Sequence, residues 1–426
     1  MGQCALACLA LTAWALDNGV GHLPPLGYST WNDLSCSGMS EEGVLSAAES
    51  LRRTGLQKRG YVYVNLDDCW QDPLGRDATG RLQADPQRFP SGMHGLSKTL
   101  HERGFKFGVY TDRGRRTCAG REGSQGFETL DAQTFAEWGV DFVKEDNCRS
   151  LSGPNNKSEL FAQFALFRDA LNKTGTPIFF SVCGGGDQLP FSNLTYYASD
   201  ERGGKKLANS WRITSDVTGS WTLRFAYKVD ASLREYAGPG GFNDPDMLLG
   251  SSPGAARRLG PHQSRTQFSL WAILMAPMLL GADVRQLTPF DLETYSNEEV
   301  LKVSQDSFAQ QGSLLTVKGS TSLWGRPLVD GAWAVLFLNE GWFWKRKVTC
   351  SKRCWSKMSF KRNSTVHLQD LWSQWLPHSD IGVGQASRAA QASGAGLVGQ
   401  VAQTLQGADG VGRTWSLRWK LAGAAC

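Results

Sequence analysis

Polar and apolar positions follow a repeating rhythm between about residues 26 and 310. A short apolar run ends in polar or acidic residues, and a segment with helical spacing follows. The runs are LGYSTWND (26–33), YVYVNLDD (61–68), FKFGVYTD (105–112), VDFVKED (140–146), PIFFSVC (177–183), SWRITSD (210–216), GGFNDPD (240–246) and APMLLGAD (276–283), with ends 30 to 44 residues apart. Between them, Ser40-Glu41-Glu42 opens a segment with apolar positions at Val44, Leu45, Ala48 and Leu51. Asp131 to Trp138 and Leu160 to Leu171 show the same spacing of three and four, and Ser97 to Glu102 shows it more briefly. Eight strand–helix units in about 285 residues predict an α/β fold, a (β/α)8 TIM barrel. An open doubly wound sheet is the rival. It usually begins with a Gly-rich phosphate loop, and no G-x-G-x-x-G follows any of these runs.

The pattern changes after about residue 312. GAWAVLFLN (331–339) alternates as an antiparallel strand does, and nine of the 16 Trp lie beyond residue 320. The expected organisation is a barrel over 24–312 and an antiparallel β-sandwich over 313–426. Residues 381–413, rich in Ala, Gln, Gly and Ser, carry little pattern and leave open whether they form a final hairpin.

The chain has 426 residues, 20% of them charged and 41% hydrophobic, and a formal net charge of +5. These values are ordinary for a globular protein, and without a long Lys/Arg block nothing points to nucleic acid. Cys4 to Leu16 is a short apolar run, and Ala13-Trp14-Ala15 has the small-x-small form of a cleavage site, so residues 1–15 read as a secretory signal peptide, though one without a basic n-region. The other apolar stretch, Leu270 to Ala282, is interrupted by Pro277 and too short to span a bilayer; no membrane anchor is expected. Eight cysteines would remain after cleavage, without the CxxC spacing of a zinc site, so disulfides are the default. Sequons at Asn156, Asn172, Asn193 and Asn363 fit a glycoprotein of the secretory route, either secreted or lysosomal/vacuolar.

In a barrel the C-terminal strand ends share one face. The polar ends of the runs would then gather Asp67, Asp68, Asp112, Asp146, Asp216, Asp244, Asp246 and Asp283 there, with aromatic residues and no Ser–His constellation. Paired carboxylates suit glycoside hydrolysis, and aromatic rings stack on the apolar face of a sugar. Lys144 and Asp146, two apart, share one face of a strand, and the ammonium would keep the carboxylate ionised. Arg212 lies four residues before Asp216. That argues against Asp216 as an acid unless the loop turns the two apart.

LGYSTWN, YVNLDDCW, GVYTDRGRRTCAG, DAQTFAEWGVDFVKEDNC, NSWRITSD, GPGGFNDPDMLLG and LWAILMAPMLLGADVR occur in that order. With these motifs in register over about 24–312, the chain resembles glycoside hydrolase family 27 of clan D, the α-galactosidase (melibiase) and α-N-acetylgalactosaminidase family. The resemblance implies a retaining double displacement at a terminal α-galactosyl group, with Asp146 as nucleophile and Asp216 as acid/base. It implies that Asp67 and Asp68 hold the 4- and 6-hydroxyls, Trp31 is a stacking platform, and Tyr110 sits beside the nucleophile. Lys144 would hold the 3- and 4-hydroxyls and Arg212 the 2-position side, while Asp246 and Met247 complete the pocket. Core packing is the plainer alternative for Tyr110 and Met247, and a turn role for Asp244. Family bridges map onto Cys36–Cys69 and Cys118–Cys148; Cys350 and Cys354 could close a small loop. No cofactor and no metal are implied, and the partner is an α-galactoside; a homodimer is left open.

One motif departs. After strand 5 the family usually has Cys-Glu-Trp, which reads the sugar 2-position, and this chain has Cys183-Gly184-Gly185-Gly186-Asp187. α-N-Acetylgalactosaminidase and β-L-arabinopyranosidase activity therefore stay open beside α-galactosidase. A non-catalytic galactose binder would require loss of Asp146 or Asp216, and both are present. A metal-dependent reading of the DD and DPD clusters is the remaining alternative.

Overall fold

The computed structural model describes residues 16–148, 157–184, 203–254, 257–329, 331–340, 350, 352–359, 365–372, 379–382 and 398–408. Each of the eight apolar runs contains a strand: β1 Leu26–Ser29, β2 Tyr63–Asn65, β3 Lys106–Asp112, β4 Phe142–Asp146, β5 Phe179–Val182, β6 Ser210–Arg212, β7 Phe242–Asp244 and β8 Met278–Leu280. They form one parallel sheet in which β1 pairs with both β2 and β8. No regular ladder joins β7 to β8. Leu248, beyond β7, bridges to Leu280 and closes the ring. Getting there requires a sharp bend, and Asp246 carries it with φ 88°, a left-handed conformation uncommon outside glycine. The eight-strand barrel expected from the sequence is the fold observed.

The helices that follow are α1 Glu41–Arg53, α2 Gly92–Glu102, α3 Glu128–Glu137, α4 Lys157–Lys173, α5 Gly204–Leu207, α6 Ser220–Ser232, α7 Pro261–Leu274 and α8 Pro289–Tyr295; Glu298–Ser304 adds α9. Local chemistry explains their ends. Ser40 caps α1 by accepting the Gly43 N–H at 3.2 Å, with Glu41 and Glu42 in the first turn and Arg52 and Arg53 in the last. The apolar stretch from Leu270 divides at Met275, a left-handed C-cap, into the buried end of α7 and strand β8. No helix among the described residues is long and apolar enough to cross a membrane.

Beyond the barrel a six-stranded antiparallel sheet runs β13-β12-β14-β11-β10-β9, from β9 Ser313–Lys318 through β10 Thr321–Pro327, β11 Trp333–Asn339, β12 Thr365–Asp370 and β13 Ser379–Gly382 to β14 Val398–Ala408. The weakly patterned tail thus supplies β14, a central strand paired with β11 and β12. Backbone ladders do not require the side-chain alternation a sequence reveals. The buried Arg326 guanidinium locks this sheet to the barrel by donating to the Ala272 carbonyl at 2.8 Å and the Ser304 carbonyl at 3.2 Å.

Disulfides join Cys36–Cys69, Cys118–Cys148 and Cys350–Cys354, with Cα separations of 5.2, 5.0 and 5.2 Å. Cys183 is buried and unpaired, and Cys426 lies outside the described residues. Asn172 is exposed on α4, as an acceptor site must be, while Asn156, Asn193 and Asn363 lie outside the described residues.

Candidate active site

The C-terminal strand ends enclose a cavity of about 500 Å³, ample for a sugar ring. Trp31, Asp67, Asp68, Tyr110, Lys144, Asp146, Asp216 and Met247 line it. Arg212 and Asp246 lie one layer lower, around a cavity of about 30 Å³ that shares Asp67, Lys144 and Met247. The ten residues singled out from the sequence are therefore gathered at one barrel mouth, in two tiers. Asp283 does not join them: its carboxylate takes the Arg285 guanidinium and the Gln286 amide.

Asp146 ends β4, directly opposite Asp112 on β3. Its Oδ2 accepts the Tyr110 hydroxyl at 3.1 Å and its Oδ1 the Asn147 N–H at 2.8 Å. Burial raises its pKa, and the Lys144 charge and the Asn147 N–H counter this only in part. A carboxylate with a raised pKa is more basic and so a better nucleophile. As expected, the Lys144 charge favours ionised Asp146, but its direct hydrogen-bond partner is Asp67. Lys144 Nζ donates to Asp67 Oδ2 at 2.7 Å, and Asp67 is the larger of the two charges holding the half-buried ammonium protonated. Parallel pairing explains the choice, because strand β3 separates β4 from β2 while the long lysine reaches across Tyr110, its Nζ 5.1 Å from the ring centroid.

Asp68 is a partly structural member. Its oxygens accept the N–H groups of Cys69 at 2.7 Å and Ala119 at 2.8 Å, tying the two disulfide-bearing loops together. Asp244 has the turn role weighed for it. Its Oδ1 accepts the Asp246 N–H at 2.8 Å, fixing the bend. Asp246 Oδ2 accepts the Val217 N–H at 2.7 Å, and its Oδ1 lies 3.2 Å from Arg212 Nη1. It thereby positions both Arg212 and the loop that carries Asp216.

That loop does not turn Asp216 away from Arg212, as an acid role was expected to require. Arg212 Nη2 donates to Asp216 Oδ1 at 3.1 Å, across the bend at Thr214 and Ser215 that follows β6. Arg257 Nη1 donates to Oδ2 at 3.4 Å. Burial opposes ionisation of Asp216, but the charges of Arg212, Lys144 and Arg257 outweigh it and hold the carboxyl below the usual range. Asp246, nearby and almost fully buried, is pushed the other way by burial.

Asp112, Cys118, Asp146 and Cys148 bring possible ligand atoms within 4.8 Å of one another. The donor set does not suit a cation. Both sulfurs are committed to their disulfide, and Asp112 accepts the N–H groups of Gly114 at 2.7 Å and Cys148 at 2.8 Å. Burial pushes Asp112 up to about 7. Its native pKa exceeds the unfolded value of about 3.9, so the native state binds the proton more tightly. That stabilisation is complete below about pH 4 and is lost as pH rises through about 7. Asp33, pushed up to about 6 by burial, acts in the same sense. Urea midpoints are therefore expected to fall between pH 5 and pH 8, and Asp112→Asn to flatten that slope. A midpoint rising over this range would contradict the assignment.

Cys183, from the motif expected to read the sugar 2-position, also lines the cavity, and the pocket residues not foreseen are Asn147, Ser215, Thr218, Thr222 and Arg257. Asn147 and Ser215 adjoin recognised acids and could have been inferred. Arg257 follows the NDPDM motif by ten residues, in a loop without periodicity, and no sequence signal marks it.

A barrel mouth that pairs sugar-sized volume with facing carboxylates, anchoring cations and an aromatic wall belongs to the class of glycoside hydrolases. The alpha galactosidase A family model matches residues 24–306, and the alpha galactosidase C-terminal beta sandwich model matches 318–393. The chain is 37% identical over 358 residues to the alpha-galactosidase of Cyamopsis tetragonoloba, covering 84% of this chain and 81% of the relative. It is 37% identical over 359 residues to alpha-galactosidase A of Homo sapiens, covering 79% and 80%. Among solved structures, alpha-galactosidase I of Mortierella vinacea superposes with a TM-score of 0.77 at 28% identity, covering 91% of this chain and 98% of that one. The Saccharomyces cerevisiae alpha-galactosidase with raffinose also gives 0.77, at 26% identity and 92% and 99% coverage. The chain belongs to the alpha galactosidase A family of glycoside hydrolases.

Proposed function

We propose that this protein hydrolyses terminal α-D-galactosides with retention of configuration, through a covalent galactosyl-Asp146 intermediate. The observation that carries this is the opening of Asp146 and Asp216 onto one cavity whose other walls offer hydroxyl-binding charges and a Trp31 platform. Asp146 attacks C1 while Asp216 gives a proton to the departing oxygen. Asp216 then takes a proton from water, which attacks the same carbon from the opposite side. Two inversions leave the α-anomer. Lys144 and Asp67, locked as a pair, present a rigid donor and acceptor to adjacent sugar hydroxyls. Arg212, fixed by Asp246, lies towards the 2-position.

Cys183 and Gly184, where the family usually has Cys-Glu, favour a second reading of the 2-position; Gly185, Gly186 and Asp187 lie outside the described residues. The test compares kcat/KM for nitrophenyl α-galactoside, its 2-acetamido analogue and nitrophenyl β-L-arabinopyranoside. Galactoside is expected to lead, by on the order of a hundredfold over the acetamido sugar, with α-galactose as first product by NMR. A preference for either competitor transfers the assignment to it, and a first-formed β-anomer overturns retention. We further propose a secretory route, supported by the 1–15 segment and the exposed sequon at Asn172. A mature N-terminus at Met1 and no mass loss on N-deglycosylation would contradict it.

A further inference from the structure

Both carboxylate oxygens of Asp216 are occupied by guanidinium groups. Arg212 takes Oδ1 at 3.1 Å and Arg257 takes Oδ2 at 3.4 Å. Each guanidinium favours the ionised form and so disfavours the protonated carboxyl that must deliver a proton to the leaving oxygen. Withdrawal of one guanidinium would favour that protonation, and the two differ sharply in freedom. The Arg212 side chain is 5% exposed and is anchored by the Asp246 carboxylate at 3.2 Å and the Thr214 carbonyl at 3.3 Å. The Arg257 side chain is 37% exposed and comes from a loop rather than a barrel strand. It lines the same cavity as Asp216 and Asp146.

We propose that Arg257 is a positioning residue for the acid step: it holds Asp216 Oδ2 in the free enzyme and yields that oxygen to the proton and the leaving group when substrate binds. The proposal rests on the retaining α-galactosidase reading, in which Asp216 is the acid/base. Oδ2 is then the oxygen that exchanges the proton, while Oδ1 stays fixed on Arg212. The proton that Oδ2 receives comes from solvent and leaves on the aglycone oxygen as the C1–O bond breaks and the Asp146–C1 bond forms. In deglycosylation, water gives a proton to Oδ2 and its hydroxyl to C1 as the Asp146–C1 bond breaks and Asp146 leaves as carboxylate, so the cycle balances. The other charged and titratable groups facing Asp216 are Arg212 and Lys144, which favour its ionised form, and Asp246 and Cys183, whose anionic forms would disfavour it. Arg257 is the member of this set that can leave without stranding a buried charge.

The experiment measures kcat/KM against pH for the full-length wild type, Arg257→Gln and Arg257→Lys. It uses an alkyl α-galactoside, whose departure needs a proton, and a dinitrophenyl α-galactoside, whose departure does not. With one cation removed from a partly exposed site, the high-pH limb for the alkyl substrate is expected to move up by about half a unit, or about threefold in rate on that limb. Arg257→Lys is expected to restore the wild-type profile, and the dinitrophenyl profile to be unchanged in all three. An Arg257→Gln limb that superposes on wild type, or a uniform loss at every pH with both substrates, overturns the proposal. If the wild type cleaves neither galactoside, the underlying activity reading fails instead, and the two failures are told apart.

Discussion

Asp146→Ala is expected to lower kcat for nitrophenyl α-galactoside by on the order of 10⁴-fold or more, which is about 5 kcal/mol of transition-state stabilisation. The effect belongs to chemistry because the rest of the site is built to survive the change. Lys144 keeps its 2.7 Å bond to Asp67, and the Tyr110 hydroxyl keeps its contact to Cys118 Sγ at 3.1 Å. No buried charge is left unpaired, so the variant should fold and bind galactose, with KM changed by less than about tenfold. Added azide should enter from the face Asp146 vacates and give β-galactosyl azide. Turnover within tenfold of wild type, in a variant with native thermal unfolding, would remove Asp146 from the nucleophile's role.

Asp216→Ala is expected to show a leaving-group signature rather than a uniform loss. Against an alkyl galactoside such as melibiose the loss should reach about 10³-fold, because no acid protonates the departing oxygen. Against dinitrophenyl galactoside the first step should survive, and the galactosyl-enzyme should accumulate with a lowered KM, since the base for the second step is gone. Azide should then attack the intermediate and release α-galactosyl azide, the stereochemical opposite of the product from Asp146→Ala. Equal losses with both substrates would make Asp216 a binding residue, paired with Arg212 and Arg257, and no acid/base.

Much of this was legible in the sequence because barrel architecture writes itself locally. Each strand is short, apolar and terminated by polar residues, and helix α1 announces its cap at Ser40 and its charge bias at both ends. Asp146 and Lys144 lie on one face by alternation alone. The same alternation places Glu145 towards the helices, where it is fully buried and accepts no hydrogen bond among the described residues. Burial pushes its pKa well above the ordinary carboxylate range and so favours its neutral form. The β14 strand was illegible for the converse reason: its place in the sheet is set by backbone pairing with strands far away in sequence.

The sequence by itself determined the fold class, the order of the eight barrel strands and the set of carboxylates that could act, since period, capping and motif spacing are properties of neighbouring residues. Only the tertiary structure decided how those charges are shared. It gave Lys144 to Asp67 rather than Asp146, placed Arg212 and Asp246 beneath the cavity, and sent Asp283 to Arg285. It also brought Arg257, 41 positions from Asp216, onto the carboxylate that must carry the proton. Charge pairing depends on distance and burial in three dimensions, and neither is encoded in the spacing along the chain.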